Sequence, residues 1–410
     1  MDARTEAVPG GDPRVTHGLR DWYGAGLAVA TVGWGAQQFA PLLLLYQADL
    51  HLATSTIQGT FAMYVVGLIP GLLLGGPTSD RYGRRRVMGP TLAVSAVATV
   101  LLLLGGSGVS WLLAGRLLAG VASGAAFSSG AAWIKELSDG HRGVVNPGPR
   151  RATVAMTLGF GLGPLVAGVL AQWAPAPTIV PYLPHLILVA VALPLALSTR
   201  ETKRPSPEVT LRRRLRIPEA RGRRFLLVVV PLAPWVFGSA SIAFAYLPGL
   251  VENSLGGHAL LFSAIVTLLT AAAGILVQPL ARRAYHPDRP RLLATALTIV
   301  VAGVLVAACT AATGQPALVV AAALVLGAGY GCCQVGGLAE VQRLAPPDRL
   351  AGLTAVYQAV SYVGFAAPFP LAAAATFVPP AWLLLGVAGL AALTLAWTTW
   401  QAGRTQGPWP

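Results

Sequence analysis

The residues that could do chemistry in this chain are few charged or bent positions set in apolar sequence. Between two apolar runs lies Gly76-Pro77-Thr78-Ser79-Asp80-Arg81-Tyr82-Gly83-Arg84-Arg85-Arg86. Asp80 is a lone acid among arginines, so it should be ionised and paired, either with Arg84 or with the N-terminal end of a neighbouring helix, whose dipole attracts anions. Gly83 supplies the positive φ of a tight turn. A second position is Arg116, inside an apolar run and at four-residue spacing with Gly120 and Gly124, so that all three fall near one helix face. A third is Gly159-Phe-Gly161-Leu-Gly163-Pro164-Leu-Val-Ala167-Gly168, where Pro164 removes a backbone donor and bends a helix. The apolar runs hold no paired histidines and no deep acid, the groupings that acid–base or metal-assisted catalysis requires. No G-x-x-x-x-G-K-[ST] loop for a nucleotide triphosphate is present. Cys309, Cys332 and Cys333 lie in apolar runs, with no metal-ligand or disulfide pattern. An enzyme, an ATP-driven pump and a bound cofactor or metal are therefore not expected.

The elements that carry these residues are membrane spans. The 410 residues are 55% hydrophobic and 11% charged, with a mean hydropathy of +0.64, whereas a soluble domain is about 25% charged. Apolar runs fall at 24–46, 56–77, 87–106, 110–133, 152–173, 178–197, 225–248, 258–280, 292–312, 316–338, 351–376 and 380–400. Each is long enough to cross a bilayer as a helix. With both termini placed in the cytoplasm, 28 of the 29 Lys and Arg residues fall on the inner side, the exception being Arg116. This is the positive-inside pattern, and it explains the net charge of +14 without a nucleic-acid partner. The expected organisation is a cytoplasmic N-terminal segment (1–22), six spans (23–197), a basic cytoplasmic linker (198–224), six further spans (225–400) and a tail (401–410). The first segment lacks a signal-peptide core, so the first span is expected to act as an uncleaved anchor. The two halves look related: Gly120, Gly124 and Gly130 match Gly327, Gly331 and Gly337 at one constant offset. Two parallel repeats would leave that mark, with a binding site at their interface.

The Gly76–Arg86 segment resembles the signature loop of the major facilitator superfamily, G-x-L-x-D-R-x-G-R-[RK]-[RK], with Thr78 in place of Leu. The resemblance implies an all-α fold of twelve transmembrane helices in two pseudo-symmetric bundles. It also implies a gating role for Gly76, Asp80, Arg81, Gly83, Arg84 and Arg85. Asp80 would dock at the start of the span after Asp348, and Arg81 or Arg84 would reach Glu136 or Asp139. Arg116 and its glycines resemble the fourth-helix motif R-x-x-x-G-x-x-x-G, whose Arg is linked to proton coupling. From the residues alone, Arg116 could equally snorkel to the outer interface or donate to backbone carbonyls. Gly159, Gly163, Pro164 and Gly168 resemble the antiporter motif of the fifth helix, its glycine groove expected to receive a helix of the other half.

The superfamily lines its cavity with helices one, four, seven and ten. The candidates here are Trp34, Gln37, Gln38, Trp235, Tyr246, Tyr330 and Gln334, with Tyr357 and Gln358 of span eleven. Such a pocket suits a lipophilic small molecule. The carboxylate that usually carries the proton in the first helix is absent, and Asp49 is the nearest acid. The implied function is a drug:proton antiporter type of exporter, monomeric, in a bacterial inner membrane. Open alternatives are titration of Asp49 or Glu252, charge carried by the substrate past Arg116, uniport, or an organic-anion facilitator or symporter binding through Arg116.

Overall fold

The computed structural model describes residues 22–138, 147–203, 217–286, 291–346 and 349–404. Arg212, Arg213, Arg214, Asp139 and Asp348 lie outside the described residues. Among the described residues, twelve helices are long and apolar enough to cross a membrane. They are α1 Trp22–Asp49, α2 Thr54–Tyr82, α3 Arg84–Ser107, α4 Val109–Ser138, α5 Gly148–Trp173 and α6 Val180–Ser198. The second six are α7 Phe225–Leu250, α8 Ala259–Ala284, α9 Arg291–Thr313, α10 Pro316–Leu344, α11 Leu350–Ala374 and α12 Pro380–Arg404. All twelve expected spans are present. Helices α4 and α10 run past their expected ends and so take in Glu136 and Glu340.

Close packing fixes two bundles. A side chain at Gly120 or Gly124 would strike the backbone of α2 at Tyr64, Leu68 and Leu72. In the second half, one at Gly327 or Gly331 would strike the backbone of α8 at Thr270 and Gly274. Small residues at such a spacing let helices approach where lipid offers no hydrophobic drive. The offset that relates Gly120 to Gly327 also relates Gly67 to Gly274 and Pro41 to Pro248. Gly67 and Gly274 are the reciprocal contacts of α2 on α4 and of α8 on α10. The repeat is therefore one of packing as well as of sequence.

Burial separates central from peripheral helices. The apolar window of α1 is 83% buried, that of α7 is 67%, and those of α6 and α12 are 33% and 22%. Central helices are also irregular. Helix α1 breaks into a 3₁₀ turn at Ala40–Leu42 around Pro41. Helix α4 holds a π segment at Ala126–Gly130, and α7 holds two, Phe225–Val229 and Ile242–Tyr246. A bilayer tolerates such backbone where protein surrounds it, and π segments frequently mark functional stretches.

Candidate functional site: a central cavity and two polar clusters

The arginine-bearing ends of the helices form one face of the molecule, called here the basic face. The Asp80 loop lies on it. Gly83 takes φ +105°, and its open side faces the Glu201 carboxylate. Arg84 is 5% exposed and organises the cluster. Its Nη2 is 2.8 Å from both Asp80 Oδ1 and Glu136 Oε1, and its Nη1 donates to Ser79 Oγ. The backbone amides of Arg84 and Arg85 donate to the two oxygens of Glu201, at 2.8 and 3.0 Å. Glu201 thus caps the free N–H groups that open α3, where a carboxylate is also favoured by the dipole. Thr202 donates to Glu136. The loop is therefore tied to α4 and to the residues after α6. Asp80 pairs with Arg84, the first of the two partners open to it in the sequence. Arg81 stacks on Tyr82, 5.2 Å from the ring centroid, and Arg84 is the arginine that reaches Glu136. Gly76 has room for a side chain, and the close approach to α4 falls on Gly75 instead.

Arg116 is fully buried. Nη1 donates to the Ala36 carbonyl at 2.8 Å and Nη2 reaches the Phe61 carbonyl at 3.5 Å. The rings of Phe39, Phe61 and Tyr64 surround the guanidinium at 5.1, 5.5 and 4.5 Å. Snorkelling is excluded by this burial. The carbonyl that Nη1 takes lies in the last α-helical turn before the break in α1, where carbonyls lack helical donors. Aromatic faces attract the cation further.

The cavity between the halves has a volume of about 290 Å³. Of the expected residues, Gln37, Tyr330, Gln334 and Gln358 line it. Tyr362 of span eleven, which the sequence also offers as a contributor, lines it too, and the rings of Phe160, Phe237, Phe244 and Phe365 form much of the rest; those phenylalanines look like ordinary span residues in the sequence. The amide oxygens of Gln37, Gln334 and Gln358 are buried without a partner among the described residues. Arg282, Gln278 and Thr153 line the cavity toward the basic face. On the far face the halves meet. Phe365 stacks on Phe61 at 4.6 Å between centroids, Tyr64 stands 5.5 Å from Phe365, and Gln58 Nε2 donates to Ala245 O at 2.7 Å. A larger hollow of about 820 Å³ lies among α1, α5 and α6 at the basic face. Its walls include the exposed apolar side chains Tyr23, Val154 and Leu158, so it is a lipid-facing groove rather than the central site.

Other expected cavity residues lie elsewhere. Trp34 packs against Gly159 and Gly163. Gln38 is buried in the first bundle, its Nε2 donating to Thr99 Oγ1 at 3.1 Å. Tyr357 donates to Cys333 O at 3.3 Å, inside the second bundle. Trp235 and Tyr246 are buried in α7 outside the cavity lining. Asp49 is exposed at the far-face end of α1. Glu252 also lies at that face, where partial burial raises its carboxyl above the ordinary range. The groove of α5 divides: Gly159 and Gly163 receive α1 of the same half, and Gly168 meets α8 of the other half, at Leu260 and Ala264. Pro164 is buried within α5.

Three acids went unnoticed in the sequence. Glu201 caps α3, Glu340 is 3% exposed and pairs with Arg224 at 2.8 Å, and Glu219 binds Arg349 at 2.6 Å. An acid in an otherwise basic stretch was the available signal in each case.

A model of the Major Facilitator Superfamily matches residues 25–369. The chain belongs to this superfamily. It is a multi-pass membrane transporter, not an enzyme. Among curated relatives, the bacillibactin exporter of Bacillus subtilis (strain 168) is 27% identical over 143 residues, which is 34% of this chain and 36% of the relative. The triacylglyceride transporter of Mycobacteroides abscessus is 38% identical over 111 residues, 27% of this chain and 21% of the relative. The matched stretches thus span about a third and a fifth of those proteins. Among solved structures, a POT family transporter in complex with 5-aminolevulinic acid superposes with TM-score 0.76 at 11% identity, covering 95% of this chain and 97% of that one. A nucleoside transporter superposes with TM-score 0.69 at 12% identity, covering 92% and 98%. These last two share the fold.

Proposed function

We propose that this superfamily member is a secondary exporter of lipophilic organic molecules, drugs or secondary metabolites, that works by alternating access with proton antiport. The observation that carries this reading is the central cavity. It has aromatic walls and a few amide handles, reaches toward the basic face, and is closed on the far face by the Phe61–Phe365 contact. Under the positive-inside rule the basic face is cytoplasmic, so the cavity is arranged to load from within. One curated relative is named for the export of bacillibactin and the other for the transport of triacylglyceride, which supports outward transport and an apolar cargo. Among the described residues the cavity lining holds no acid, so a neutral or anionic cargo fits it better than a cation. The Asp80 loop, braced by Arg84, Glu136 and Glu201, acts as the inner gate.

The reading of Arg116 as an anion-binding residue is not favoured, because both terminal nitrogens already face carbonyls and the residue lies outside the cavity lining. A susceptibility panel in an efflux-deficient bacterial host tests the proposal. The expected result is raised tolerance to a subset of lipophilic compounds, lost on adding a protonophore. Unchanged tolerance across the panel with the chain present in the membrane would count against it.

A further inference from the structure

The antiport reading lacks a proton carrier in the cavity, and the first bundle offers one elsewhere. His185 of α6 is fully buried. Helix α6 packs chiefly on α1 and α3. From α3, Thr99 Oγ1 lies 2.8 Å from Nδ1 and Ser95 Oγ lies 3.3 Å from Nε2. From α1, the Thr31 carbonyl faces the ring, and Gly35 is so close that a side chain there would strike the imidazole. Gln38 of α1 joins the chain through Thr99.

This cradle differs from one that merely satisfies a core histidine. A neutral imidazole needs one donor and one acceptor, and an imidazolium needs two acceptors. A hydroxyl can rotate to give or to accept, and a carbonyl only accepts. Thr99, Ser95 and the Thr31 carbonyl therefore fit both protonation states. Histidine is also the side chain whose charge changes in the physiological range. None of the groups facing the ring from α1 or α3 is titratable. The charged residue bound to the same stretch of α1 is Arg116, through Ala36 O. Tyr46 and Tyr182 form their own hydroxyl pair further toward the far face.

We propose that His185 is the proton-binding residue of this transporter, and that its charge works through α1. This rests on the proton-coupled reading given above. The ring takes one proton from water and returns it to water, and nothing else is consumed. In the arrangement described, His185 is dry and shares α1 with a buried cation, with no acid beside either. Protonation therefore disfavours this arrangement, in which Phe61 and Phe365 close the far face. The other side of α1 supplies Gln37 to the cavity, so a shift of α1 alters both the seal and the cargo site.

The test needs no known substrate. Nitroxides at Thr56→Cys and Thr376→Cys, at the far-face ends of α2 and α11, report the separation of the halves by pulsed electron–electron resonance. The full chain is used in nanodiscs, with Cys309, Cys332 and Cys333 replaced by Ala. Acidification across about pH 8 to 5, the range in which histidine titrates, is expected to move the distribution to longer distances. In His185→Gln, which keeps a donor and an acceptor but cannot be charged, the short distance should persist at every pH. Thr99→Val should shift the midpoint without removing the transition. A transition retained in His185→Gln would overturn the assignment while leaving proton coupling intact. No transition in the parent would overturn both.

Discussion

The two halves share a packing scheme and differ in what they bury. In the first, the interior between α1, α3, α4 and α6 is polar: Arg116 in its ring cage, His185 between hydroxyls, and the Tyr46–Tyr182 pair. The second half supplies 15 of the 20 residues that line the cavity. Its buried acid Glu340 pairs with Arg224 at the basic face, where Glu219 of the preceding linker likewise pairs with Arg349. The same division appears in the loops after the second helix of each half: Asp80 anchors a network in the first, whereas Gln278-Pro279-Leu280-Ala281, which matches Gly76-Pro77-Thr78-Ser79, is followed by the exposed Arg282 in place of Asp80. The halves thus keep the same helix contacts and differ in content, the first burying polar and charged side chains and the second lining most of the cavity.

The shared packing is the feature whose loss should cost most. Gly124→Leu and Gly331→Leu each push a side chain into the backbone of the facing helix. Overpacking of this kind costs about 1–3 kcal/mol where side chains can yield, and backbone cannot, so folded yield should fall sharply for both. Gly389→Leu on α12, with nothing within 4 Å, should leave yield unchanged. Detergent-solubilised yield by size-exclusion chromatography measures this. A loss confined to one half would break the symmetry argument.

The specialised features come next. Arg116→Ala should abolish transport, and Arg116→Lys should keep part of it, since each lost hydrogen bond from a charged donor costs about 1.5–3 kcal/mol. Initial export rates at matched expression check this. Phe365→Ala removes the ring that stacks on Phe61 and also lines the cavity. It should change which compounds are exported more than it changes folding, and a resistance profile would show it. At the gates, Asp80→Asn or Glu201→Gln should slow export severalfold or more. Arg282→Gln breaks no such network, so its effect should fall on anionic cargo that meets Arg282 in the cavity rather than on all cargo alike. Equal effects at the two turns would remove the contrast.

Much of the fold was legible because lipid imposes simple rules. Twenty-residue apolar runs, arginines on one side, and glycines at one offset gave the spans and the repeat. The Asp80–Arg84–Glu136 linkage was legible from its motif. What escaped was whatever depends on rotation about a helix axis. Gln37 and Gln38 are neighbours, yet one faces the cavity and the other Thr99. Trp34 was expected at the cavity and instead fills the α5 groove. The His185 cradle is not legible in sequence, because its partners Ser95 and Thr99 lie some ninety residues earlier in the chain.

The central claim is export through this cavity at the expense of a proton gradient. Its most direct test is uptake, into inverted membrane vesicles, of a compound to which the chain confers tolerance. The account predicts that an imposed acid interior accelerates uptake and that dissipating the gradient removes the acceleration. Uptake indifferent to the gradient would contradict it and point to a facilitator.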